Sequence, residues 1–122
     1  CPIGGWAYDG MELQILDNTA DQYKTLEPYQ YHGSIYGIAP AKREFLKPVG
    51  EWNQQEVIAK GRQITVILNG ETIVDVNLDE ALKNGPMDHK EHKNLDLKEG
   101  HIGFLGHGSV LWFRNIKIKE LK

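Results

Sequence analysis

The sequence predicts an all-β fold, an antiparallel β-sandwich, and three observations carry that prediction. Short alternations of apolar and polar residues recur along the chain. Turn signals rich in Gly and Asn separate them at close spacing, and only one short segment reads as helix. The 122 residues suit one domain, 1–122, with enough apolar content for a single core.

The first alternation lies in Gly10-Met11-Glu12-Leu13-Gln14-Ile15-Leu16-Asp17-Asn18. Met11, Leu13 and Ile15 alternate with Glu12, Gln14 and Leu16, the period of a strand with one buried face, and Asp17-Asn18 supply turn chemistry. Residues 19–31 carry Pro28 and three tyrosines without periodicity and read as a loop with a helical turn. Ser34 to Ile38 reads as a short strand that Ala39-Pro40-Ala41-Lys42 ends. Trp52 to Lys60, Gln63 to Leu68 and Glu71 to Leu78 form a three-stranded meander. The β-branched middle strand supports it, and so does Asn69-Gly70, since both central residues of a type I′ hairpin turn need positive φ. Leu78 to Lys83 suits a short helix that Gly85-Pro86 stops, and residues 79–100 are polar. His101 to Leu105 and Val110 to Leu121 read as two closing strands around Gly106-His107-Gly108.

Composition narrows the function classes. The net charge is −3 and Lys and Arg are scattered, so the basic stripe that favours a nucleic-acid partner is missing. No apolar run approaches the roughly 20 residues needed to cross a bilayer as a helix. One cysteine excludes an internal disulfide. Cys1 reads as an ordinary residue at a chain boundary rather than a lipid-bearing one, because a strand pattern follows from Gly10 where a lipid anchor precedes a polar spacer.

Several segments, in matching order and spacing, resemble the 3-keto-disaccharide hydrolase family. They are the Gly10–Asn18 run, Gly33-Ser34-Ile35-Tyr36-Gly37, Gly50-Glu51-Trp52-Asn53, Leu68-Asn69-Gly70-Glu71, Gly100 to Gly108, and Phe113-Arg114-Asn115-Ile116-Lys117-Ile118. The resemblance implies a jelly roll of the concanavalin-A-like kind, a small carbohydrate or glycoside substrate, and a periplasmic or cell-surface location. Relatives usually carry further strands before the Gly-Met-Glu segment. The expectation is therefore a domain lacking the family's N-terminal strands, completed by a second chain, a homo-oligomer or another part of the original protein. Many relatives also have Gln-Asp where this chain has Leu105-Gly106.

Within that resemblance, His107 between two glycines is the first catalytic candidate, since its imidazole can move protons in either direction near neutrality. An exposed turn histidine is the alternative. Glu12 and Gln14 project opposite the apolar side of their strand, where a carboxylate and an amide suit sugar hydroxyls; an ordinary polar face is the competing account. Arg114 would stabilise an anionic intermediate or pair with a carboxylate such as Glu12, or form a cross-strand salt bridge. His32, Tyr36, Lys42 and Trp112 complete the substrate-binding candidates, while Trp52 reads as core and Trp6 stays open. His89 and His92 lie in a charged run that reads as a solvated loop, because a zinc site needs three or four ligands and no third is obvious. A divalent metal held by Glu12 and histidines is an open alternative.

The chemistry implied is elimination from a glycoside oxidised to a ketone at C3. A base removes the acidified C2 proton, the C1 substituent leaves, and water adds back. That route needs a base, an enolate stabiliser and an acid, and not the spaced carboxylate pair of an ordinary glycosidase. A carbohydrate-binding module of the same fold, without catalysis, is the second reading.

Overall fold

A computed structural model describes residues 6–121 of the chain. Cys1, with the question of its lipidation, lies outside the described residues, as does the side chain of Trp6. The elements in chain order are α1 (Trp6–Asp9), single 3-10 turns at Asp21–Tyr23 and Pro28–Gln30, strands β1 (Gln55–Lys60), β2 (Gln63–Leu68) and β3 (Glu71–Asn77), and α2 (Leu78–Ala81). This is an all-β arrangement in which a small antiparallel sheet, ordered β1-β2-β3, carries the core and the helices are short.

The predicted meander forms, with β1 starting at Gln55 rather than Trp52 and β3 ending at Asn77, because Leu78 opens α2. Asn69 takes φ 50° and Gly70 φ 87°, the positive pair that the hairpin requires. The Asn69 carboxamide also clasps the neighbouring loop. Its Nδ2 donates to the Phe45 carbonyl and to Asn53 Oδ1, and its Oδ1 accepts from the Gln54 amide. Along β2 the alternation settles which face is buried: Ile64, Val66 and Leu68 point into the core, each stabilising the fold by roughly 1.5–3 kcal/mol. On β3 two successive residues, Ile73 and Val74, are both buried. A register shift opposite Val66/Ile67 explains them, because the extra residue of a bulge turns Ile73 inward.

The partner of this face is the segment Tyr31–Ala41, whose Ile35, Ile38, Ala39 and Ala41 join the core with Leu78. It is a tight turn rather than a strand. Ile35 and Ala39 bridge each other, and Gly37 at φ 74° makes the reversal. The Met11–Ile15 segment runs antiparallel beside it through a single bridge, Leu13 to Ile35. Only Leu13 of its three apolar residues packs against the core; Met11 and Ile15 are exposed. Ser34, fully buried, accepts from the Ala41 amide and donates to the Pro28 carbonyl.

Asn77 caps α2 by accepting from the amides of Asp79 and Glu80, and Gly85 at φ 83° ends the turn as expected. Arg62 then ties the following loop to the sheet, bonding Asp79, Asp96 and the Leu95 carbonyl. The closing strands are a correction: residues 101–121 contain no strand and are exposed throughout. Trp52, predicted in the core, is exposed too. Among the described residues no helix is long and apolar enough to cross a membrane.

Candidate functional site

Glu12 sits on the short two-segment ladder, where its carbonyl accepts from the Tyr36 amide at 2.9 Å. The Leu13–Ile35 register places Glu12 directly opposite Tyr36, on the side of the ladder away from the core. Its carboxyl is half-buried. Loss of hydration holds its pKa above the ordinary 4.5, while the nearby charge of His107 pulls the other way. The first two catalytic candidates, 95 positions apart in the chain, thus come close enough for the charge of His107 to reach Glu12. His107 is exposed, between Gly106 and Gly108, with Gly108 at φ 85°, and no strand flanks it.

Tyr36 anchors an aromatic cluster on the same side. Its phenol oxygen accepts from Gln30 Nε2 at 3.1 Å, leaving its own O–H free to donate. The rings of Tyr29 and Tyr8 meet it edge-on, with centroids at 5.9 and 6.5 Å. Lys90 Nζ lies 3.3 Å from the Tyr8 hydroxyl.

Other candidates go elsewhere. His32 is buried and its ring is fully used by the fold: Nδ1 accepts from the Leu16 amide at 3.2 Å and Nε2 faces Gln55 Oε1 at 2.8 Å. Burial pulls its pKa below the ordinary 6.5, against the hydrogen bond to Gln55. Gln14 turns its Oε1 back onto the adjacent Ile15 amide. Lys42 is exposed, its amide bonded to the Ile73 carbonyl. Arg114 stacks over the Trp52 ring at 3.9 Å from its centroid, so the ion pair with Glu12 and the cross-strand salt bridge are both replaced by a cation–π contact. Trp112 is 76 % exposed.

The charged run at 88–92 differs most from its prediction. The side chains of Asp88 and His92 are 3 % and 1 % exposed, a buried pair rather than a solvated loop. His89 instead is exposed, at φ 56°, so the two histidines do not converge. Among the described residues no group of three or more His, Cys, Asp or Glu side chains is placed to hold a metal. A shallow hollow bordered by Gln63, Asp75, Asn77 and Glu80 includes none of the predicted site residues.

Comparison with known proteins identifies the family of the chain. Residues 2–119 match the family of 3-keto-alpha-glucoside-1,2-lyase-like domains. A "3-keto-disaccharide hydrolase" of Bacteroides thetaiotaomicron is 29% identical over 126 aligned positions, covering 90% of this chain and 43% of that protein. A crystal structure of a candidate glycosyl hydrolase from Parabacteroides distasonis superposes with a TM-score of 0.56 at 33% identity, over 59% of this chain and 37% of its own. The chain therefore spans less than half the length of these two relatives. With the match running through nearly every described residue, the chain belongs to the 3-keto-alpha-glucoside-1,2-lyase-like (3-keto-disaccharide hydrolase) family.

Proposed function

We propose that the chain acts on 3-keto-glycosides through Glu12 and His107, and the observation that carries this reading is the half-buried Glu12 carboxyl under the influence of His107. A carboxylate losing hydration is a stronger base than one in water, which suits removal of the C2 proton that the C3 ketone acidifies. The C2–H electrons form the enolate, and the Tyr36 O–H donates to its oxygen. The enolate then collapses, the C1–O bond breaks, and His107 gives the departing oxygen its proton. Water adds to C1 of the enone and a proton returns to C2, so the net change is hydrolysis. Names borne by the two relatives, one a 3-keto-disaccharide hydrolase and one a candidate glycosyl hydrolase, support the substrate class. The jelly-roll form belongs to the same proposal, supported by apolar side chains such as Ile102, Phe104 and Ile118 that the three-stranded sheet leaves uncovered.

The test is release of the aglycone from a 3-keto-glucoside. Glu12→Gln and His107→Ala are each expected to lower kcat by about 10²–10⁴-fold while the thermal midpoint holds. Activity should rise with pH through the Glu12 titration, above the ordinary 4.5, as the base form appears. Unchanged turnover in both variants removes them from these roles. A binding module without catalysis is favoured by one feature, the exposed Trp112 beside a chain rich in exposed aromatic surface. Sugar binding without turnover would select it.

A further inference from the structure

The Asp88–His92 pair is used by nothing in the proposed reaction, yet it is the most buried ionisable pair among the described residues. His92 Nε2 faces Asp88 Oδ1 and Oδ2 at 3.0 and 2.9 Å, and Nδ1 faces the Ala7 carbonyl at 2.9 Å. Both ring nitrogens therefore meet acceptors, one on each side. Asp88 in turn donates its amide to the Gly37 carbonyl at 3.2 Å. Gly37 has no room for a Cβ, because Asp88 Oδ2 and His92 Nε2 occupy that space. The pair is wedged between α1, which carries Tyr8, and the turn that carries Tyr36. Lys93 and Asn94 add bonds to the carbonyls of Tyr8 and Asp9.

An ionisable pair held out of water is an inefficient way to pin a loop, since well-packed apolar side chains of similar volume would do so at lower desolvation cost. What the pair supplies instead is direction. The imidazole ring packs on the Tyr8 ring with centroids 5.1 Å apart, and Tyr8 meets Tyr36 edge-on. Tyr36 is opposite Glu12. A flat ring with a hydroxyl, an ammonium at its edge and a second phenol alongside matches a pyranose, whose faces are apolar and whose rim both donates and accepts hydrogen bonds.

We propose that Tyr8 and Lys90 form a sugar-recognition wall beside Glu12 and Tyr36, and that the buried Asp88–His92 pair is the positioning element that holds Tyr8 in it. This deepens the functional reading above and rests on the location of Glu12. Tyr8 and Lys90 contact the sugar ring remote from the bond that breaks, so they govern affinity rather than the chemical step.

Binding of methyl glucoside, which lacks the ketone and cannot react, is measured calorimetrically on the chain alongside turnover of a 3-keto-glucoside. Tyr8→Ala and Asp88→Ala are expected to weaken binding about 10-fold and raise KM in proportion, with kcat within about 2-fold. Asp88→Asn, whose carboxamide can donate to or accept from His92 Nε2, should restore binding; a pair needed only for stability would change the thermal midpoint and leave affinity alone. Tyr8→Ala keeps the test decisive if Asp88→Ala does not fold. Wild-type affinity in Tyr8→Ala overturns the wall even where Glu12-dependent turnover is intact, and so does absence of glucoside binding by the wild-type chain. Binding that depends on Tyr8 while the keto-glucoside is untouched upholds the wall and removes the proposed reaction.

Discussion

Residues 63–78 and residues 101–121 are comparable in apolar alternation and opposite in outcome. In the first, Ile64, Val66, Leu68, Ile73, Val74 and Leu78 are all buried; in the second, Ile102, Val110, Trp112 and Ile118 are all exposed. The difference is a facing layer. β2 has a strand on each side to satisfy its backbone, and the Tyr31–Ala41 turn lies over its apolar face. The later segment has the period of a strand without a paired neighbour. Its visible attachments to the rest of the chain are side-chain contacts, Arg114 on Trp52 and the charge of His107 near Glu12, while Phe104 and Phe113 meet within the segment itself at 4.3 Å. Alternation says which residues share a face and is silent on what covers it.

The contrast has measurable consequences. Ile35→Ala empties a fully buried position of the core and should destabilise the fold by about 2–5 kcal/mol in chemical denaturation, whereas Ile118→Ala should stay within about 0.5 kcal/mol. Equal effects would erase the distinction. Gly33→Ala comes next. Gly33 has φ 81° and its Cβ would collide with the tip of Ile73, so a loss above about 1 kcal/mol is expected, read from the same transition. The smallest effect is the coupling between Arg114 and Trp52. A double-mutant cycle with alanine at both positions should return about 0.5–1 kcal/mol, and a coupling near zero would leave the later segment without that anchor.

The same division marks what could be read from the sequence. The bounds of β2 and the hairpin at Asn69-Gly70 were legible because β-branched content and positive-φ turn residues act locally. So was the helical turn at Leu78, with its Gly85 stop. The closing strands were not, since a strand exists only with a neighbour. At the site, the family motifs single out Glu12, Tyr36 and His107 one by one, whereas the pairing of Glu12 with Tyr36 comes from the ladder register. Arg114 was misplaced because a guanidinium satisfies itself on an aromatic face as readily as on a carboxylate. The Asp88–His92 pair was missed for a different reason. Its i,i+4 spacing is visible, but its burial depends on Ala7, 85 residues away, and the polar residues around it hide that contact. His32 illustrates the converse: its motif position suggested a ligand contact, while its two ring nitrogens serve the fold.

The clasp around Asn69 has a consequence for chemical ageing. Asn-Gly is the dipeptide most prone to cyclise, as the glycine amide nitrogen attacks the asparagine carboxamide carbon and ammonia departs. Here that carboxamide is held at both its oxygen and its nitrogen by Gln54, Phe45 and Asn53. Attack requires those bonds to release first, so succinimide formation at Asn69 becomes a slow clock that counts openings of the hairpin. Its rate, followed by mass spectrometry in wild type against Asn53→Ala, reports how firmly this corner of the sheet stays shut.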